Sequence, residues 1–169
     1  MLSEGVVGTV AVLLLLAAFL IRARVKLRAL EDETRRRGLV MHLPFTTDPS
    51  SPLDALAVEL DLQDRGSNGL WRPRWGVGLT GVFEGRELLL ADHEVPDGSA
   101  SSTLTVSHSM LVWQLPPGTR GATAAAQWPH GGVIGHHGGW AAWRLRGELD
   151  AQRLGLLLQH APEALRWFR

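Results

Sequence analysis

Three observations point to an α+β chain with one N-terminal transmembrane helix, a cytoplasmic helical stalk, and a small antiparallel β-sheet domain with short covering helices. Residues Gly5 to Ile21 form an uncharged apolar run, GVVGTVAVLLLLAAFLI. Four basic residues, Arg22, Arg24, Lys26 and Arg28, follow it at once. From Trp75 onward apolar residues recur every second position, which is the period of a strand rather than a helix. The composition, 45% apolar and 20% charged over 169 residues, is that of a folding chain long enough for one domain plus an appendage. On this reading residues 1–37 are the membrane helix and basic stalk, and residues 38–169 are the sheet domain.

The apolar run would be about 25 Å long as a helix, at the short end for a bilayer core, and snorkelling arginines extend its reach. A cleaved signal peptide needs a basic start and a small-residue cleavage site; here Glu4 precedes the run and arginines end it. No Lys or Arg lies before it and four basic residues follow. The positive-inside rule then places the N-terminus outside and the remainder in the cytoplasm. The expected localisation is therefore single-pass, in a bacterial inner membrane, with the basic cluster against anionic lipid headgroups. Beyond it, RARVKLRALEDETRRR contains no Pro or Gly, and Glu31–Arg35, Asp32–Arg36 and Glu33–Arg37 are spaced for i,i+4 ion pairs. The helix is expected to run on as an upright stalk until Gly38 stops it.

Within the domain, Leu39 to Phe45 is a short strand or connector. Ser51-Pro52 suits a helix start, with Leu53, Leu56, Ala57 and Leu60 on one face of a helix to about Leu62. WGVGLTGVF and RELLLADHEV are strands joined by a Glu84-Gly85 turn, and Thr103 to Leu115 is a third. The Gly-rich stretch around PHGGVIGHHGG reads as loop with one short strand, and GWAAWRLRG as another strand. Asp150 is placed to cap a helix with Leu154, Leu157 and Leu158 buried, and Pro162 to open a separate last helix.

The same residues exclude much chemistry. Cysteine and tyrosine are absent and Lys26 is the only lysine, which removes thiol catalysis, disulfides, thiolate metal sites and P-loop chemistry. The formal charge is zero, divided between a basic neck and an acidic body, so nucleic acid is not an expected partner. GVGLTG at 76–81 matches G-x-G-x-x-G, but its surroundings are strand-like and no helix follows, so the glycines are expected to serve close packing. His130, His136 and His137 are the weak candidates for a metal site; no carboxylate lies among them, and a glycine-rich loop loses entropy on being organised. No catalytic residue and no cofactor is expected. The seven tryptophans are unusual. Trp71, Trp75 and Trp128 lie in loop-like sequence and are candidate partner contacts, with Gly5, Gly8 and Thr9 as small-residue contacts on the helix.

Gly81, Gly85, Arg86, Asp92, Leu115 and Pro116 resemble the pattern of a loose group of bacterial single-pass membrane proteins carrying a G-x-x-x-G-R hairpin domain. That resemblance implies membrane anchorage and a small β-rich domain, and carries no activity. A likeness of architecture alone links the expected layout to the H subunit of purple-type photosynthetic reaction centres. The functional expectation is a non-catalytic accessory or scaffold subunit of a larger inner-membrane complex, photosynthetic or respiratory, partnered by other integral membrane proteins. The alternatives are a free-standing binding or sensory module, and a His-loop metal-binding protein or enzyme.

Overall fold

The computed structural model describes residues 4–48, 51–65, 72–97, 105–119 and 126–168, with side chains in the first helix from residue 8 onward. Helix α1 (Glu4–Arg36) leads into strand β1 (Val40–His42), helix α2 (Pro52–Arg65), and strands β2 (Arg74–Phe83), β3 (Arg86–Pro96) and β4 (Thr105–Gln114). Strands β5 (Ala126–Gln127), β6 (Val133–His137) and β7 (Trp140–Arg146) and helix α3 (Ala151–Ala164) complete the chain. All strands join one antiparallel sheet in the order β1-β2-β3-β4-β7-β6-β5. This is a larger sheet than expected, because β1, β5 and β6 extend it on both sides of the β2-β3-β4 meander. Both edge strands are very short, which leaves little open ladder for unwanted pairing.

The pleat sends alternate residues to opposite faces, and here both faces are covered. Leu79, Leu88, Leu90, Leu111, Trp113 and Trp143 pack beneath α3 and the second half of α1. On the other face Met110, Val112, Val133 and Ala142 meet Leu56, Ala57 and Leu60 of α2. The glycines of GVGLTG lie within β2, not at a helix start. A side chain at Gly78 would meet the Phe45 ring, and one at Gly81 the Leu39 side chain. Close packing is thus their role, as expected. Glu84 and Gly85 both take positive φ, 49° and 76°, and make the β2–β3 turn.

Among the described residues, no helix is both long and apolar enough to cross a membrane. This overturns the expected transmembrane helix and small-sheet fold, the single-pass membrane assignment, and the inner-membrane localisation with the N-terminus outside. The reason lies in how α1 is divided. Its apolar run, residues 5–21, is about 25 Å of helix, short of a hydrocarbon core of about 30 Å. Past Ile21 the helix becomes basic and then joins the sheet's cover: Leu30 and Thr34 are buried, and Lys26 Nζ lies 3.4 Å from Glu148. The helix is continuous to Arg36, as expected, but its second half lies on the sheet and is not an upright stalk. Gly38, at φ +67°, ends it. The ion pairs there differ in part from the expected register: Glu33 binds Arg37 and also Arg36, each at 2.8 Å, and Asp32 faces Arg35 at 4.0 Å.

Helix α3 also departs from expectation. Asp150 caps it by accepting from the Arg153 backbone N–H at 2.9 Å, but Pro162 lies inside the helix and does not open a new one.

Under α2 sits a buried ion pair. Arg144 of β7 donates to Asp61 at 3.1 Å, with 1% and 0% of the two side chains exposed, and its Nη2 faces the Leu60 carbonyl at 3.4 Å. Removing one member of such a pair strands a charge in an apolar layer. Asp61→Ala is expected to lower unfolding free energy by about 3–5 kcal/mol in urea titration, whereas Asp61→Leu combined with Arg144→Met recovers most of that loss.

Candidate functional site

Among the described residues, three regions gather groups capable of chemistry or recognition. The first is the N-terminal arm of α1. Val10, Val12, Leu13, Leu14, Leu15, Leu16, Phe19, Leu20, Ile21 and Val25 are 49–72% exposed. These side chains surround the helix and leave no polar stripe, a pattern that belongs to buried helices. Gly8 and Thr9 lie exposed near its start, while Gly5 lies in the helix at a position whose side-chain environment is outside the described set. At its base, Arg22, Arg24, Lys26 and Arg28 are all exposed, and Lys26 is drawn toward Glu148.

The second region is a cavity of about 380 Å³ where α1 meets the sheet, lined by Phe19, Arg22, Lys26, Val77, Asp92 and Glu148 among others. Asp92 accepts the Val77 backbone N–H at 2.5 Å, and a side chain at Gly76 would run into its carboxylate. Burial pushes the Asp92 carboxyl above its ordinary value. The backbone N–H groups of Val77 and Leu149 oppose that shift, and Glu148 and Glu94 add to it. These bonds make Asp92 a tie between β3, the irregular start of β2 and the β7–α3 connection.

The third region is the turn at Trp128–Gly132 and the helix beside it. His130 Nε2 lies 2.8 Å from Glu163 Oε2, and its ring stacks on His160 at 3.8 Å between centroids. His130, His160 and Glu163 each bring a ligand atom to within 4.8 Å of the others. His136 and His137 stand apart on β6. The first meets the Phe168 ring edge at 5.1 Å, and the second pairs in register with Trp140.

Sequence reasoning missed His160 and Glu163. The signal was their i,i+3 spacing, which puts both on one helical face; starting a new helix at Pro162 separated them. The tryptophans also sit differently from the partner-contact expectation. Trp128 is buried in the core, and Trp75 is half-buried, donating from Nε1 to Asp54 at 2.8 Å. Trp71 lies outside the described residues.

Compared with known proteins, the chain matches no family model, no curated protein and no solved structure. The functional reading therefore rests on the residues themselves.

Asp92 gives the fold a pH signature. Its folded carboxyl holds a proton more tightly than the unfolded one, so its contribution to stability is greatest in acid. It declines as pH rises from the ordinary aspartate value of 3.8 through the raised folded value. Asp92→Asn is expected to flatten that segment of the urea-midpoint-versus-pH curve, and an unchanged slope in the variant would assign it to other groups.

Proposed function

We propose that the chain is a non-catalytic accessory or scaffold subunit that docks into a larger protein assembly through the apolar arm of α1. The observation carrying this reading is the arm itself. Ten large apolar side chains lie exposed on one helical segment, well beyond the roughly 300–600 Å² patches of ordinary monomer surfaces. Burying even half of each would stabilise association by about 1 kcal/mol per side chain, enough to offset the ordering and rigid-body terms of binding. Gly8, Ala11 and Ala18 fall near one another around the helix and permit a second helix to approach closely. The arginines at the base suit a partner with an apolar groove rimmed by acidic groups. The core uses of Trp75 and Trp128 leave the arm as the stronger contact surface. Anionic lipid headgroups at Arg22, Arg24, Lys26 and Arg28 are the competing occupant of the same region.

A photo-crosslinking residue in place of Leu15, activated in cells, distinguishes the two. A discrete protein adduct of fixed mass, lost when Leu14 and Leu16 are changed to Asp, is the expected result. Transfer of label to lipid alone, or no adduct, would remove the protein-docking reading.

A further inference from the structure

We propose that His130, His160 and Glu163 form a binding site for a divalent first-row transition ion, with Zn²⁺ the best fit. The site stands independently of the docking arm. Two imidazoles and one carboxylate are a donor set that zinc takes with water in the fourth position, and imidazole also suits the neighbouring transition ions. Hard ions such as Mg²⁺ prefer all-oxygen shells.

The objection raised by the sequence, that a glycine-rich loop must be organised before it can bind, is met by how this turn is built. The Trp128 N–H donates to the Gly132 carbonyl and the Gly131 N–H to the Trp128 carbonyl, both at 2.9 Å. The Trp143 indole N–H donates to the Gly131 carbonyl at 2.8 Å. Gly131 and Gly132 hold φ values of 89° and 76°, and a side chain at Gly132 would collide with the Arg144 backbone. His130 thus projects from a turn already fixed to the sheet, next to the buried Trp128 ring. His160 and Glu163 project from a helix packed on that same sheet. The ordering entropy is largely spent in folding before any ion arrives.

The second objection, the missing carboxylate, is met by Glu163. Two donors at zinc-ligand distances and a tetrahedral angle lie about 3.4 Å apart. His130 Nε2 and Glu163 Oε2 are at 2.8 Å and all three donors span no more than 4.8 Å, so a coordination shell forms when the donors open slightly and one imidazole turns out of its stack on the other to aim both lone pairs at one ion. His130 and Glu163 are partly exposed, 33% and 54% by side chain, which gives an ion its entry path and leaves room for water as fourth ligand. Metal binding at His130 Nε2 needs the ring proton on Nδ1, and the Glu163 carboxylate then changes from hydrogen-bond acceptor to ligand. Bound there, the ion clamps the β5–β6 turn to α3.

Full-length chain, stripped with chelator, would be titrated with Zn²⁺ by calorimetry and with Co²⁺ by visible absorption. The expected result is saturable one-to-one binding with a d–d band of a four-coordinate Co²⁺ site and a rise in melting temperature. His160→Ala and Glu163→Gln should each weaken binding by about tenfold or more, while His136→Ala and His137→Ala leave it unchanged. Circular dichroism of each variant separates loss of the site from loss of the fold, and Glu163→Gln, being exposed and isosteric, keeps the test open if His160→Ala unfolds. No saturable binding, equal affinity in Glu163→Gln, or loss that follows His136 or His137 would overturn the proposal.

Discussion

Strand β4 is buried on both sides, and the architecture answers to that constraint. Its residues from His108 to Trp113 are all inaccessible, and it occupies the middle place in the seven-strand order. Many antiparallel sheets keep one face in water; this one needs helices on both. Helix α2 supplies one cover and α3 only part of the other. The second half of α1 completes it, which places Leu30 in the same core as Trp113 and Trp143. One helix therefore has two different tasks along its length, and the arm is what remains after the sheet has taken the part it needs.

Two carboxylates at this double-sided core are held by specific partners. Arg144 would otherwise be a charge in the apolar layer between α2 and the sheet, and Asp61 fixes where α2 must lie. On the opposite face, Asp92 collects backbone donors at the point where β2 departs from regular pairing. The two carboxylates are held by different partners, a guanidinium at Asp61 and backbone N–H groups at Asp92. Glu33, half-buried with a side chain 13% exposed and flanked by Arg36 and Arg37, shows a third outcome: the Arg37 hydrogen bond holds its carboxyl below the usual range.

Much of the strand layout could be read from local chemistry. Period-two alternation marked β2, β3, β4 and β7, the Glu84-Gly85 pair marked their first turn, and Asp150 marked the start of α3. Three features were not legible, each because it depends on contacts distant in sequence. The apolar run before Arg22 looks complete as a membrane segment until Leu30 and Thr34, on the same helix, are found in the core. Strand β5 exists because β6, itself paired to β7, offers it an edge, and the Gly-rich sequence showed no more than one short strand there. The His130 cluster needs a turn and a helix that meet only after folding, and a proline between His160 and Glu163 hid their shared face.

The central claim is that α1 is one helix with two environments, packed on the core through Leu30 and Thr34 in its second half and exposed from Gly8 to Ile21. Amide hydrogen exchange on the isolated full-length chain tests it most directly. The account predicts that amides of residues 26–36 exchange only with the β4 amides, in global unfolding, because both lie in one cooperative core. Those of residues 8–21 should exchange orders of magnitude sooner. Fast exchange along the whole of α1 while β4 stays protected would contradict it, since the sheet would then be stable without the cover that α1 is said to provide.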